Sequence, residues 1–126
     1  MLSPFLQVAE SDHLASNELT FAIFDVHPVS PGHALVVPRR AIKSWFEASA
    51  EEQQAAMRLL GEVKRLLDDR FRPDGYNVGF NDGVAAGQTV FHAHLHVIPR
   101  YAGDMGDPRG GVRHAVPGQG NPLHRP

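Results

Sequence analysis

Cysteine is absent from the 126 residues, which excludes disulfides and any thiolate-ligated structural zinc. No run of 18 or more apolar residues occurs, and the N-terminus has neither a basic flank nor an apolar h-region. The expectation is therefore a soluble, cytoplasmic chain with no membrane span and no secretory signal. A cationic surplus is missing as well: 12 Lys and Arg stand against 14 Asp and Glu, a formal net charge of −2. That argues against a nucleic-acid duplex as partner, because such binding relies on many basic side chains neutralising phosphates. The charge is unevenly placed, with 8 basic and 12 acidic residues in 1–99 but 4 and 2 in 100–126. The tail is thus the cationic end, which suits a phosphorylated small molecule better than a duplex. At this length one domain with one core is expected.

What the chain does concentrate is histidine. Residues 88–100 read Gln-Thr-Val-Phe-His-Ala-His-Leu-His-Val-Ile-Pro-Arg, placing His92, His94 and His96 at every second position with Ala93, Leu95 and Val97 between and beyond them. In a β-strand that period sends the three imidazoles to one face and the apolar set to the other. Three rings on one wall need polar partners, since an unsatisfied buried ring nitrogen costs roughly 1–3 kcal/mol. A metal is one such partner, yet alternate strand residues lie about 6.6 Å apart and the outer pair about 13 Å. Two rings could share an ion easily, three only on a bent strand. A satisfied structural cluster is the second possibility. An anion or phosphate site built on imidazole is the reading the pattern favours.

Around this stretch the chain reads as short strands and one long helix. Met1 to Asn17 has apolar residues without a clean period, read as a short turn or helix followed by a strand near His13 to Ala15. Phe21 to Asp25 and His33 to Val37 are β-rich runs joined through His27-Pro28 and Ser30-Pro31-Gly32, an antiparallel hairpin with a long loop. Arg39, Arg40 and Lys43 form a basic knot, read mainly as solvated surface with substrate steering as the alternative. Ser49-Ala50-Glu51-Glu52 is a capping box. It opens a helix to about Phe71, with Ala56, Leu59, Leu60, Val63, Leu66 and Leu67 on one face. Tyr76 to Phe80 is the next strand. Asn81-Asp82-Gly83 and Ala85-Ala86-Gly87 then make a glycine-flanked loop whose amides could cradle an anion, with Asn81, Gln88 and Thr89 as neutral donors to phosphate oxygens. Arg100 to Pro126 is Gly-, Pro- and Arg-rich and reads as an extended tail, with Arg109, Arg113 and His114 as possible late contacts to a substrate.

His-Ala-His-Leu-His-Val-Ile, with Ala-Gly-Gln-Thr-Val before it and Pro-Arg after it, resembles the signature of the histidine triad (HIT) family. Phe21 to Pro38, ending in its Pro-Gly-His turn and a strand, resembles the family's other block, and the likeness extends over residues 14–101. The resemblance implies an α+β architecture: an antiparallel sheet of about five strands with one main helix. Residues 1–101 would be the HIT domain and 102–126 the tail, in a homodimer formed through a continuous sheet. It also implies a purine nucleotide or dinucleotide substrate and no cofactor or metal.

By the same resemblance His94 is the nucleophile, attacking an α-phosphorus to leave a nucleotidyl-histidine that water hydrolyses. His92, backed by His33, would fix the aim of His94. His96, with Gln88 and Thr89 beside Gly87 and Asn81, would hold phosphate oxygens, and Asp25 would reach the ribose hydroxyls. Gln88-Thr89 and Pro99-Arg100 look closer to the dinucleoside polyphosphate hydrolase branch, whereas Asp25 and Asn81 look closer to the phosphoramidase branch. The leaving group stays open, and so does the acceptor, because a phosphorolytic nucleotidyltransferase or a non-catalytic nucleotide- or metal-binding module could keep the same triad.

Overall fold

Helix α1 starts where the capping box places it. In the computed structural model, which describes residues 2–121, it spans Ala50–Phe71. Ser49 Oγ accepts from Glu52 N at 3.1 Å and Glu52 Oε1 accepts from Ser49 N at 2.9 Å, so two otherwise orphaned donors are satisfied reciprocally. Glu52 is buried and also accepts from Arg40 Nη2 at 2.7 Å and Nε at 3.2 Å. These Arg40 hydrogen bonds hold its carboxyl at about 2, well below the usual glutamate range. Of the basic knot, Arg40 and Lys43 are exposed, as a solvated surface requires, yet two of its members also carry structural bonds. Arg40 braces the helix start, and Arg39 donates to Asn17 O at 3.1 and 3.0 Å with its guanidinium over the Phe21 ring.

The apolar stripe of α1 packs as its period requires. Ala56, Leu59, Val63 and Leu67 are buried with Ala55, Leu60 is partly buried, and Leu66 at the edge of the stripe is exposed. The helix ends with Arg72 in the left-handed region at φ 51°, its N–H bonded to Asp68 O, just before Pro73.

The stripe meets a five-stranded antiparallel sheet: β1 Ala15–Ser16, β2 Thr20–Phe24, β3 Ala34–Pro38, β4 Gly75–Gly79 and β5 Leu95–Arg100, in the order β1-β2-β3-β5-β4. Alternation then sorts the faces. Ala22, Ala34, Val36, Leu95 and Val97 form the core with α1. Phe21, Ile23, Leu35 and Val37 point the other way, under Phe5 and Val8. His96 stands opposite both Leu35 and Gly79, so it too lies on the face away from the helix. The five-strand, one-helix architecture is the one expected. No helix among the described residues is long and apolar enough to cross a membrane.

Three segments depart from the sequence reading. The histidine stretch is a strand only from Leu95 onward. Ala93 N donates to Ile42 O at 2.7 Å instead of to a strand partner, which turns the chain out of the sheet at His92 and His94. The N-terminal segment forms short 3-10 turns at Pro4–Gln7 and Glu10–Asp12, and the strand that follows is Ala15–Ser16. The tail is not extended. It folds back through Arg100–Asp104 hydrogen bonds and a Tyr101 Oη–Pro31 O bond of 2.7 Å, then makes a 3-10 turn at Gly111–Ala115 against β4. Its last residues, 122–126, lie outside the described residues.

One glycine fixes how the sheet loop meets the helix. Gly32 has φ +88°, and a Cβ there would lie 2.9 Å from the Phe71 ring, so the Pro31-Gly32 turn seats directly on the end of α1. The helix cap supplies a measurable expectation. Ser49→Ala should lower unfolding free energy by about 1 kcal/mol in urea titrations at pH 7. Because the folded Glu52 pKa is depressed, the stability it adds is complete above about pH 4.5 and is lost as pH falls toward 2.

Candidate active site

His33, His92 and His94 are each held by a backbone group whose hydrogen-bonding role is fixed, and His96 is held by His33, so the tautomers follow from the contacts. Val29 N donates to His33 Nδ1 at 3.1 Å, which puts the hydrogen of a neutral His33 on Nε2. That nitrogen faces His96 Nδ1 at 2.9 Å and donates to it, leaving the hydrogen of His96 on its outer nitrogen, Nε2. His94 is set the other way. Its Nδ1 lies 2.7 Å from His92 O, an acceptor, so Nδ1 carries the hydrogen and Nε2 keeps a lone pair. Two neighbouring rings, with centroids 5.0 Å apart, thus present one lone pair and one N–H donor.

His92 is buried at 1% exposure and reaches no ligand space. Its Nε2 donates to Pro38 O at 2.7 Å, and its Nδ1 accepts from the Ser3 hydroxyl at 2.6 Å. Its ring does not touch the nitrogens of His94; the backbone carbonyl of His92 does the orienting. His33 likewise backs the third histidine of the triad, not the first as the resemblance implied. Phe5 packs edge-on against His94 at 4.9 Å and tilted against His92 at 5.7 Å.

The glycine loop is partly closed on itself. Gly83 and Gly87 have φ of 94° and 93°, conformations that glycine adopts without strain. The amides at the loop's C-terminal end are turned inward: Ala86 N and Gln88 N bond Gly83 O, and Gly87 N bonds Val84 O. Gln88 is buried, with Oε1 accepting from Gly83 N and Nε2 donating to Lys43 O and Val90 O, so it braces the loop and has no free donor for a phosphate. Thr89 and Asn81 are exposed, and Asn81 lines the cleft beside His96. Asp25 Oδ1 caps its own turn through His27 N at 2.9 Å, while Oδ2 faces His33 at 3.5 Å and His96 at 3.9 Å.

The histidine triad does not converge on a point where an ion could sit. The described residues that do converge are Asp25, His33 and His96, with ligand atoms within 4.8 Å of one another. The donor set does not fit a cation there, because His33 Nε2 bears hydrogen as long as Val29 N–H occupies Nδ1, and an ion would have to break the His33–His96 bond.

Ser3, Phe5, Pro38 O and the Val29 amide were not legible as site components. The signal for the first two was only an aperiodic apolar segment. The late tail contacts sort differently. Arg109 pairs with Asp107 and Arg113 donates to Gly120 O, whereas His114 lines the cleft. Burial lowers the pKa of His33, of His92 and, to about 4, of His96, the last reinforced by His94 and His33 beside it. The unfolded chain therefore binds more protons than the folded one between about pH 6.5 and 4. Stability is full above that window and falls as pH descends through it, with His96 accounting for up to about 3 kcal/mol. Urea unfolding from pH 7.5 to 4.5 should show this slope, and His96→Asn should flatten it.

The family model described as HIT domain matches residues 7–103. An AP-4-A phosphorylase of Mycobacterium tuberculosis is 34% identical over 102 residues, 80% of this chain and 52% of the relative's length. A bis(5'-adenosyl)-triphosphatase of Dictyostelium discoideum is 34% identical over 93 residues, 74% of this chain and 62% of that one. The chain thus spans between half and two thirds of these two relatives. The crystal structure of a HIT family member from Bacillus subtilis superposes with a TM-score of 0.75 at 31% identity, covering 85% of this chain and 80% of that chain. The extent of the family match, together with these likenesses in sequence and fold, establishes that this chain belongs to the HIT family.

Proposed function

We propose that the protein hydrolyses adenosine nucleotides at the α-phosphate, with dinucleoside polyphosphates as substrate and His94 Nε2 as nucleophile. The observation that carries this reading is the opposed tautomers of His94 and His96, adjacent rings of which one offers a lone pair and the other an N–H. In the first step the His94 Nε2–P bond forms as the bond from phosphorus to the leaving oxygen breaks. Positive charge then develops on the ring, and Nδ1–H points it at the His92 carbonyl, a dipole already in place. In this reading His96 Nε2–H, Asn81 and Thr89 donate to phosphate oxygens, and Asp25 Oδ2 accepts from ribose hydroxyls. Water then cleaves the P–N bond and returns His94 to its starting tautomer. Likeness to a triphosphatase and a phosphorylase supports a dinucleoside polyphosphate over a phosphoramidate.

The phosphorylase likeness also keeps a second acceptor in view, since inorganic phosphate attacking the same intermediate would yield ADP in place of AMP. Incubation with α-labelled Ap4A and an alkaline quench should trap an acid-labile protein adduct. His94→Asn should abolish it and reduce turnover by on the order of 10³-fold or more. Turnover persisting in His94→Ala would overturn the nucleophile assignment, and tight binding with neither adduct nor product would favour the non-catalytic module. Adding phosphate and assaying ADP separates the two acceptors.

His33→Phe removes the hydrogen donated to His96 Nδ1. We expect kcat to fall by on the order of 10²-fold with KM little changed, and His33→Gln, which restores an N–H donor, to recover part of it. We further propose a homodimer joined through β4, whose outer edge has no strand partner among the described residues. Sedimentation equilibrium should give twice the chain mass, and Val78→Pro should shift it to the monomer.

A further inference from the structure

His96 divides the open face of the sheet. Asp25 and the N-terminal segment with Phe5 lie to one side. To the other runs a cleft of about 760 Å³, from His33 and His96 along Ile98 to Tyr101, Met105 and Val112. That volume falls in the roughly 300–1,000 Å³ range of small-molecule sites. We propose that this cleft binds the leaving half of the substrate, and that it is built for an uncharged planar group, the second base of a dinucleoside polyphosphate, and not for the bare end of a polyphosphate. This rests on the nucleotidyl-transfer reading above.

Charge decides between those two occupants. Arg100 is the one Lys or Arg side chain among the described residues lining the cleft, and it is already engaged. Its Nε and Nη2 donate to the two Asp104 oxygens at 2.8 and 2.7 Å, and its Nη1 donates to Asn77 Oδ1 at 2.6 Å. Terminal phosphates entering here would find no free cation and would approach the Asp104 carboxylate. A flat neutral ring instead finds apolar walls, of which Met105 and Val112 are 38% and 69% exposed although nothing about their side chains favours water. The polar donors sit at the opposite end, where His96 and Asn81 would face the phosphates. The cleft thus joins phosphate-facing donors to a wall that includes exposed hydrocarbon, as a phosphate chain ending in a base requires. Met105 and Val112 also lie beyond residue 103, where the family match stops, so the outer wall of the cleft is supplied by the tail of this chain.

Binding separates this inference from the chemistry. Calorimetry on the full-length His94→Asn protein should show Ap4A binding at least ten-fold more tightly than ATP. Val112→Trp, at an exposed position, should fill the cleft and lower the ratio of Ap4A to AMP affinity at least five-fold, while Val112→Ser should lower it less. Circular dichroism of each variant checks that α1 is intact. Equal affinity for Ap4A and ATP, or a ratio unmoved in the Trp variant, would overturn the subsite even if the wild type forms the His94 adduct. The expected binding pattern without adduct or turnover in the wild type would sink nucleotidyl transfer and leave the subsite standing.

Discussion

A single peptide N–H, that of Val29, sets the direction of a hydrogen-bond chain that runs through two rings. By donating to His33 Nδ1 it forces the His33 hydrogen onto Nε2; by receiving that hydrogen, His96 is left with its own hydrogen facing outward. Nothing in the composition of a histidine cluster chooses among tautomers, because each neutral ring has two of similar energy. The choice is made by the backbone, which has fixed donors and acceptors and cannot reverse them. The loop that carries Val29 is in turn secured by Ser30 Oγ donating to Pro99 O at 2.6 Å and by Tyr101 Oη on Pro31 O. The chemistry of the face therefore depends on turn geometry between β2 and β3 as much as on the histidines.

Burial acts in the same direction. Withdrawing His33, His92 and His96 from water disfavours their charged forms, so the rings stay neutral at physiological pH and the tautomer argument applies to the species present. Among the described residues no buried side-chain nitrogen or oxygen lacks a hydrogen-bond partner, which is what allows four imidazoles to stand near one another without penalty. The proposed transfer uses the neutrality of His96 and His33 directly, because together they fix the donor that His96 turns outward.

Much of this could be read from the chain. The α1 cap, its apolar stripe, the β2–β3 hairpin and the face that His96 occupies all follow from local sequence pattern, which records which face a residue occupies. Periodicity does not record which atom of a neighbour it meets. Hence the partner of His33, the inward amides of the glycine loop and the bracing role of Gln88 escaped it, each being settled by contacts between distant segments. The same holds for Arg39 and Arg40, where a cluster of like charges in sequence resolves into separate bonds to Asn17 and Glu52. Ser3 and Phe5 were least legible, since an aperiodic N-terminus gives no hint that it folds over residues some 90 positions away, a sequence separation of 89 for Ser3 and His92.

The seat of Gly32 on Phe71 has a reach beyond local sterics. The last aromatic of the helix is the fulcrum on which the Val29–His33 loop rests, and the helix shares no residue with the histidine face. A change in side-chain bulk at position 71 would tilt the loop, lengthen the Val29 amide bond and release His33 to either tautomer. The backside of the molecule thereby holds a handle on proton placement at the front.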